Sequence, residues 1–221
     1  MSFKVVVLDF DGVIVDSVGI KDDAFRALFA DRPDELDAIM SYHRANNATI
    51  RFEKFKFITE NILRQPFSET AQEKLNVRYS QFVVEKIIAC PFIEGAPDFL
   101  EHFSKRSSLY LASINPKEEL AGILKARELG KYFKSVYAHP WPKADALRDI
   151  LQKENIAACD AVFIGDSPED HAAAVSAGIH FIGRDDGKRF TGLPVRCYQS
   201  LNEVRKHMET IVSESSAGKM R

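Results

Sequence analysis

Two aspartates separated by one residue close an apolar run near the start of the chain, Val5-Val6-Val7-Leu8-Asp9-Phe10-Asp11-Gly12. Like charges in a poorly solvated place resist joint ionisation, so acids placed there serve a cation, a nucleophile or a proton carrier. Gly12 lets the backbone turn sharply and come close to a ligand. The plainer alternative is an Asp-Gly turn after an ordinary strand. Other reactive side chains follow: Ser113 in Ala112-Ser113-Ile114-Asn115-Pro116, Lys143 after Pro140-Trp141-Pro142, and Asp166 and Asp170 in Gly165-Asp166-Ser167-Pro168-Glu169-Asp170. Each has its own plain reading. Ser113 serves as an N-cap, Asp166 and Asp170 as turn and cap residues, and Lys143 as a solvated charge, although the helix dipole disfavours a cation at a helix start.

The elements between these residues bring them together. The first β-branched run reads as a strand buried on both faces. After it, Ser17 can cap a helix through Ala24, Phe25, Leu28 and Phe29, and Arg32-Pro33-Asp34-Glu35 starts a second helix with Leu36, Ile39 and Met40 on its apolar side. Residues 46–49 read as a loop. Phe52, Phe55, Ile58, Ile62 and Leu63 form a third helical stripe that Gln65-Pro66 breaks, and Ser68 opens a long helix ending near Cys90. No strand is expected over 17–90. Strands at 108–113, 135–138, 161–165, 179–182 and 194–198 then alternate with helices, the last of them over 201–212. That alternation implies right-handed crossovers, hence an α/β fold: a Rossmann-like parallel sheet with helices on both faces, plus an inserted all-helical segment. The expected division is a core of 1–16 and 91–213, an insertion of 17–90, and a frayed polar tail at 214–221. Open parallel sheets bind ligands at the carboxyl ends of their strands, which is where the acids, the hydroxyl and the lysine fall. Together they form a constellation for a divalent cation and a phosphoryl group.

Composition narrows the field. Apolar residues make up 45% and charged residues 28% of 221 positions, enough to fill a core. A net charge of -2 leaves no electrostatic footprint for nucleic acid or an anionic membrane, and no apolar run approaches a membrane span or a signal peptide. Cys90, Cys159 and Cys197 are scattered and odd in number, suggesting neither a disulfide framework nor a zinc site. All three are expected to be buried or half-buried fillers in a reducing cytoplasm.

On Asp9-Phe10-Asp11-Gly12-Val13, Ser113, Lys143 and Gly165-Asp166-Ser167-Pro168-Glu169-Asp170, in that order, the chain resembles the haloacid dehalogenase superfamily. The resemblance is to its phosphatase branch with a helical cap, the phosphoglycolate phosphatase and β-phosphoglucomutase group. It covers nearly the whole chain, and its first and last motifs are the specific ones. It implies a Mg²⁺-dependent phosphomonoesterase acting on a small phosphorylated metabolite. Asp9 would be the nucleophile that becomes an aspartyl-phosphate, and Asp11 the general acid and then general base. Mg²⁺ would be held by Asp9, the backbone carbonyl of Asp11, and Asp166, with Asp170 a direct or water-mediated partner. Ser113 and the amide of Ile114 would hold phosphoryl oxygens, and Lys143 would offset negative charge. Many relatives place Asn directly after the hydroxyl residue; here Ile114 intervenes, so the resemblance assigns the Asn115 side chain no role.

Asp11 argues against carbon–halogen and phosphonate cleavage, whose enzymes in this superfamily lack it. A hexose-phosphate phosphomutase is the nearest enzyme alternative, disfavoured because Lys21 stands where mutases often carry His. A receiver-like signalling domain is the alternative of another class, disfavoured by the order of the acids. The insertion, 17–90, would be a cap that excludes water and contacts the substrate. Arg51 is its first candidate for the leaving group, Lys54 its second, and Lys21 a further one; the alternative for Arg51 and Lys54 is solvated charge on an exposed helix face. Phe52, Phe55 and Phe57 are expected to be cap core. A monomer or a homodimer is expected, with no nucleic acid or membrane partner.

Overall fold

The computed structural model describes residues 3–46, 49–185 and 188–217, with side chains through 211. The chain divides into two compact units, Met1–Asp16 with Pro91–Arg221, and Ser17–Cys90. The first unit is built on six parallel strands: β1 (Val5–Leu8), β2 (Ser108–Pro116), β3 (Ser135–His139), β4 (Ala161–Gly165), β5 (His180–Arg184) and β6 (Cys197–Tyr198), in the order β3-β2-β1-β4-β5-β6. This is the α/β, Rossmann-like sheet expected from the alternation of elements.

Register gathers the site. Leu8 lies opposite Leu111 on one side and Ile164 on the other. The residues just beyond each, Asp9, Ala112-Ser113 and Gly165-Asp166, therefore lie side by side at one level of the sheet. The Asp9 N–H donates to Ile164 O at 2.9 Å, holding the first acid to the fourth strand. Along β1 the period of two sends Val5 and Val7 to one face. There they join Tyr110, Ala112, Ala161 and Phe163 against Ala146, Leu147 and Ile150 of α7 (Lys143–Glu154) and Ala174 of α8 (Pro168–Ala177). Val6, Leu8, Leu109, Leu111, Val162 and Ile164 point to the opposite face and are buried as well. A strand covered on both faces has no polar side to show, which is why these runs are continuously apolar.

The edges of several elements differ from the sequence expectation. β2 continues through Pro116, and α6 begins only at Lys117 (Lys117–Ala126), so Ser113 lies inside a strand and caps no helix. β6 is two residues long rather than a strand over 194–198, and α9 (Leu201–Ala217) runs past the expected end at 212, so 214–217 are helical. The rest of the expected tail, 218–221, lies outside the described residues. Cys159 is exposed rather than filling a core, in the single 3-10 turn before β4.

The second unit contains only helices among its described residues: α1 (Val18–Leu28), α2 (Leu36–Ala45), α3 (Arg51–Phe57) continuing into a π-helical turn (Ile58–Ile62), and α4 (Glu69–Ala89). Ser17 stands at the N-cap position of α1 without a capping bond from its side chain. Residues 32–35 form a turn, and α2 starts after it. Ser68 caps α4, its Oγ accepting the Ala71 N–H at 3.2 Å. Two residues of the expected 46–49 loop, 47 and 48, lie outside the described set.

The core of this unit centres on Phe25, which stacks on His43 at 3.8 Å and meets Phe55 and Tyr79 at 5.6 and 5.5 Å. Phe55 is wholly buried, whereas Phe57 is exposed and stacks on Tyr42 at 4.1 Å. A buried polar knot shares the core. His43 Nε2 lies 3.1 Å from Asp22 Oδ1, and the Lys54 ammonium lies 3.3 Å from both His43 Nδ1 and His43 O. Lys54 is only 3% exposed, so it is no solvated charge on an open helix face. Burial and the nearby Lys21 bring its pKa down to about 8, against the pull of Asp22. Burial and Lys54 lower His43 to about 4.

These shifts fix a pH dependence. The unfolded chain keeps the Lys54 proton up to about 10.5 and the folded chain releases it near 8, so stability rises with pH between those values. For His43 the unfolded chain gains its proton near 6.5 and the folded chain near 4, so stability falls as pH drops through that interval. Lys54→Met is expected to raise the melting temperature at pH 7 and to abolish the gain above pH 8. Circular-dichroism melts of both chains across pH are the check, and an equal alkaline gain in the variant would contradict the assignment.

Candidate active site

The candidate side chains stand at strand ends or in the first helical turns that follow them, except Ser113, which lies within β2. After β1 the chain folds back on itself: the Ile14 N–H donates to Phe10 O at 2.9 Å, and the Gly12 N–H to Val15 O at 2.8 Å. Gly12 has φ +72°, a conformation that strains any side chain with a Cβ. Asp9 is buried, and its Oδ1 accepts the Phe10 N–H at 2.7 Å. Its Oδ2 faces the Lys143 ammonium at 3.0 Å.

Lys143 begins α7 and turns inward instead of meeting solvent. Besides Asp9 it holds Asp170 Oδ1 at 2.5 Å. Burial works against its charge, but Asp170 and Asp9 outweigh burial and hold its pKa above the usual lysine range. The cost of a cation at a helix N-terminus is offset by two carboxylates at hydrogen-bonding range.

Asp170 has a structural task as well. It sits at the third position of α8, where Ser167 Oγ accepts the Asp170 N–H at 3.2 Å. In return Asp170 Oδ2 accepts from the N–H groups of Asp166 and Ser167 at 3.2 and 3.3 Å and from Ser167 Oγ at 2.8 Å. This is a capping box, so the cap reading of Asp170 holds together with its placement beside Lys143. Oxygens of Asp9, Asp166 and Asp170 lie within 4.8 Å of one another. Burial drives Asp9 up to about 8, with Lys143 opposing and the neighbouring acids adding to the rise. Burial and Asp170 drive Asp166 up to about 6, against Arg189 and Lys143.

Ser113 is buried, and its Oγ accepts the Asn115 N–H at 3.1 Å. Ile114 is half-buried in the same strand. The Asn115 side chain, to which the family resemblance assigned nothing, donates from Nδ2 to Asp11 Oδ2 at 2.7 Å and so orients that carboxylate. The displaced Asn lies in the stretch of β2 between Ala112 and Pro116 where the pairing with β3 is irregular, and it is residue 115 rather than 114 whose side chain reaches the acid. Two candidates of the helical unit, Arg51 and Lys54, have partners within that unit. Arg51 Nη2 donates to Ser80 Oγ at 3.0 Å and its guanidinium lies 5.0 Å from the Tyr79 ring, Lys54 belongs to the His43 knot, and Lys21 is half-buried on α1.

Sequence reasoning passed over Arg189. Its Nη1 donates to Asp166 O at 3.2 Å and forms a short ion pair with Asp166 Oδ2. It lies in a charged stretch with no periodicity, and the only signal it offered was an arginine a few residues past a strand end.

The donors gathered here are all oxygens, buried, and partly neutralised by Lys143 and Arg189. That chemistry fits a hard divalent cation such as Mg²⁺. A parallel sheet whose central strand offers a buried aspartate to a lysine, beside two more aspartates, is a Rossmann-like α/β fold with its candidate site at the strand ends.

The comparisons narrow the class. A profile of the haloacid dehalogenase-like hydrolases matches residues 3–178. Phosphoglycolate phosphatase 1 of Pseudomonas aeruginosa is 26% identical over 186 residues, covering 80% of this chain and 67% of that protein. Among solved structures, the HAD-hydrolase YfnB of Bacillus subtilis bound to magnesium superposes with a TM-score of 0.74 at 18% identity, covering 95% of this chain and 100% of that one. CbbY of Rhodobacter sphaeroides in complex with phosphate gives 0.67 at 16% identity, covering 90% and 94%. The chain belongs to the haloacid dehalogenase-like hydrolase family. It is an enzyme, a hydrolase with a phosphatase among its homologues.

Gly165 is the tightest point of the site. A Cβ there would lie 2.5 Å from Asp170 Cβ and 2.7 Å from its Cγ. Gly165→Ala is therefore expected to push Asp170 off the strand end, breaking the capping box and the Lys143 pair. The loss of stability should be about 1–3 kcal/mol, read from chemical denaturation. Wild-type stability in this variant would show that the close approach constrains nothing.

Proposed function

We propose that the protein is a Mg²⁺-dependent phosphomonoesterase that cleaves a small organophosphate through an aspartyl-phosphate on Asp9. The observation that carries this reading is the buried Asp9–Lys143–Asp170 bridge with Asp166 beside it. A nucleophilic carboxylate must be ionised although burial opposes it, and Lys143 is placed to favour that form. The phosphatase relative, the magnesium-bound neighbour and the phosphate-bound neighbour support the reading by their own descriptions.

Roles follow from position. Asp9 Oδ attacks phosphorus, while Asp11 gives a proton to the departing alkoxide and later takes one from the water that opens the acyl-phosphate. Asn115 holds the Asp11 carboxylate in one orientation through both stages. The Ser113 hydroxyl and the Ile114 amide hold phosphoryl oxygens, and Lys143 offsets their charge. Asp9, Asp166 and the Asp11 carbonyl would hold Mg²⁺, with Asp170 behind them committed to Lys143 and the capping box; when bound, the cation supplies positive charge to the phosphoryl oxygens.

The proposed task of the helical unit is that of a substrate-contacting cap. Arg51 and Lys21 keep partial exposure and are the proposed contacts to the organic part of the substrate, whereas Lys54 is enclosed in the core of the helical unit. No helix among the described residues is long and apolar enough to cross a membrane. Cys90, Cys159 and Cys197 form no disulfide among the described residues, and a reducing cytoplasm is the proposed setting.

Asp9→Asn is expected to cut phosphate release from an aryl phosphate by about 10⁴-fold or more, and EDTA to stop wild-type turnover until Mg²⁺ is restored. Retained activity in the variant, or in EDTA, would overturn the mechanism. Asn115→Ala should lower kcat by about tenfold on an alkyl phosphate, which needs its leaving group protonated, and far less on an aryl phosphate with a good leaving group. Equal losses on both substrates would move the effect of Asn115 to the shared hydrolysis of the acyl-phosphate, and no loss on either would remove Asn115 from proton transfer.

A further inference from the structure

Two cations balance the acids of this site, and they are held differently. Lys143 bridges two carboxylates and its side chain is 12% exposed. Arg189 touches only one of the three clustered acids, Asp166, and its side chain is 38% exposed. It stands in the segment after β5, where its N–H donates to Asp185 Oδ2 at 2.9 Å and its Nε lies 3.7 Å from Asp185 Oδ1. Asp185 is buried, and its own N–H donates to Tyr198 O at 2.9 Å, so the base of the Arg189 side chain is anchored to the sheet edge. From that anchor the guanidinium reaches over to the fourth strand and grips Asp166 at both its carbonyl and its carboxylate.

We propose that Arg189 is a displaceable counter-cation that competes with the divalent cation for Asp166 and so sets how tightly the site takes metal. This rests on the metal reading given above. A carboxylate oxygen already engaged by a guanidinium is a poorer ligand, and two positive groups on one carboxylate repel each other in a poorly solvated place. Lys143 cannot yield, because leaving would strand two buried acids. Arg189 can, because its head is partly in water and its stem is held from the backbone side. The exchange needs only a change of rotamer. Arg184 is a third cation near Asp166 besides Lys143 and Arg189, with Asp185 and Asp16 also in its surroundings; it makes no ion pair with Asp166 among the described contacts.

The competing explanation is that Arg189 simply staples its segment to β4. Three chains separate the two: wild type, Arg189→Gln and Arg189→Lys, each full length and free of substrate. Titration calorimetry with Mg²⁺ should show Arg189→Gln binding about tenfold more tightly than wild type, with Arg189→Lys between them. In EDTA the Gln variant should melt below wild type, because its acids are less compensated, and saturating Mg²⁺ should raise its melting temperature by more than it raises that of wild type. A staple would lower both melts equally and leave Mg²⁺ affinity unchanged, which overturns the proposal. A second readout covers the case in which Arg189→Gln does not fold. In wild type, the Arg189 side-chain NMR signal should be resolved in EDTA and merge with freely exchanging arginines on addition of Mg²⁺; a signal that stays resolved also overturns it. If neither wild type nor Arg189→Lys binds Mg²⁺ at all, the metal reading itself is wrong.

Discussion

Three carboxylates that converge inside a protein must be neutralised before anything else about the site can stand, and here the Lys143 ammonium between Asp9 and Asp170 is the group that does most of it. Burying an acid without a partner costs several kcal/mol, and the pressure shows in how far burial raises Asp9 and Asp166. The fold is arranged to deliver that lysine. α7 is packed on the sheet by Ala146, Leu147 and Ile150, which fixes its first residue over the end of β1. The parallel register then brings the first and fourth strands out at the same level, so that one ammonium can reach acids from both. Without the in-step ends of β1 and β4, Lys143 could serve only one of them.

Much of this was legible in the sequence. Continuous β-branched runs gave away a sheet covered on both faces, and the acids, the hydroxyl and the lysine sit where an alternating fold ends its strands. What escaped were contacts made at a distance the local pattern does not encode. Asn115 reaches Asp11 from a stretch of β2 whose pairing with β3 shifts between Ala112 and Pro116, and no local sequence pattern marks that shift. Arg189 lies in a charged stretch that reads as surface, and its role comes from Asp185 fastening its backbone. The family pattern also hid Asn115, since the resemblance is strongest where residues match by position, and a side chain shifted by one residue falls out of the comparison.

The helical unit shows the same limit from the opposite side. Its apolar stripes were readable from helical spacing, and Phe25, Phe55 and Tyr79 do form its centre. That Lys54 would be drawn into this centre was not readable. A lysine between two phenylalanines on a short helix has the spacing of a solvated face. Only the packing of α1 and α2, which supplies Asp22 and His43, gives the ammonium partners inside. Charge patterning along one helix is therefore a poor guide to exposure when a second helix can bring a histidine and a carboxylate to meet it.

The turn after β4 joins scaffold and site most closely. Asp170 satisfies the amides that lead into α8, anchors Lys143, and stands within reach of Asp9 and Asp166, all with two oxygens. Gly165 exists in this turn because the Asp170 side chain lies where its Cβ would be. A residue that closes a helix cap while holding the bridging lysine cannot move when a ligand arrives without undoing the cap. Asp170 is thus suited to stay still, and any adjustment to a changing charge falls to Asp166, whose arginine partner is exposed enough to move. Rigidity on the lysine side and freedom on the arginine side follow from the same turn.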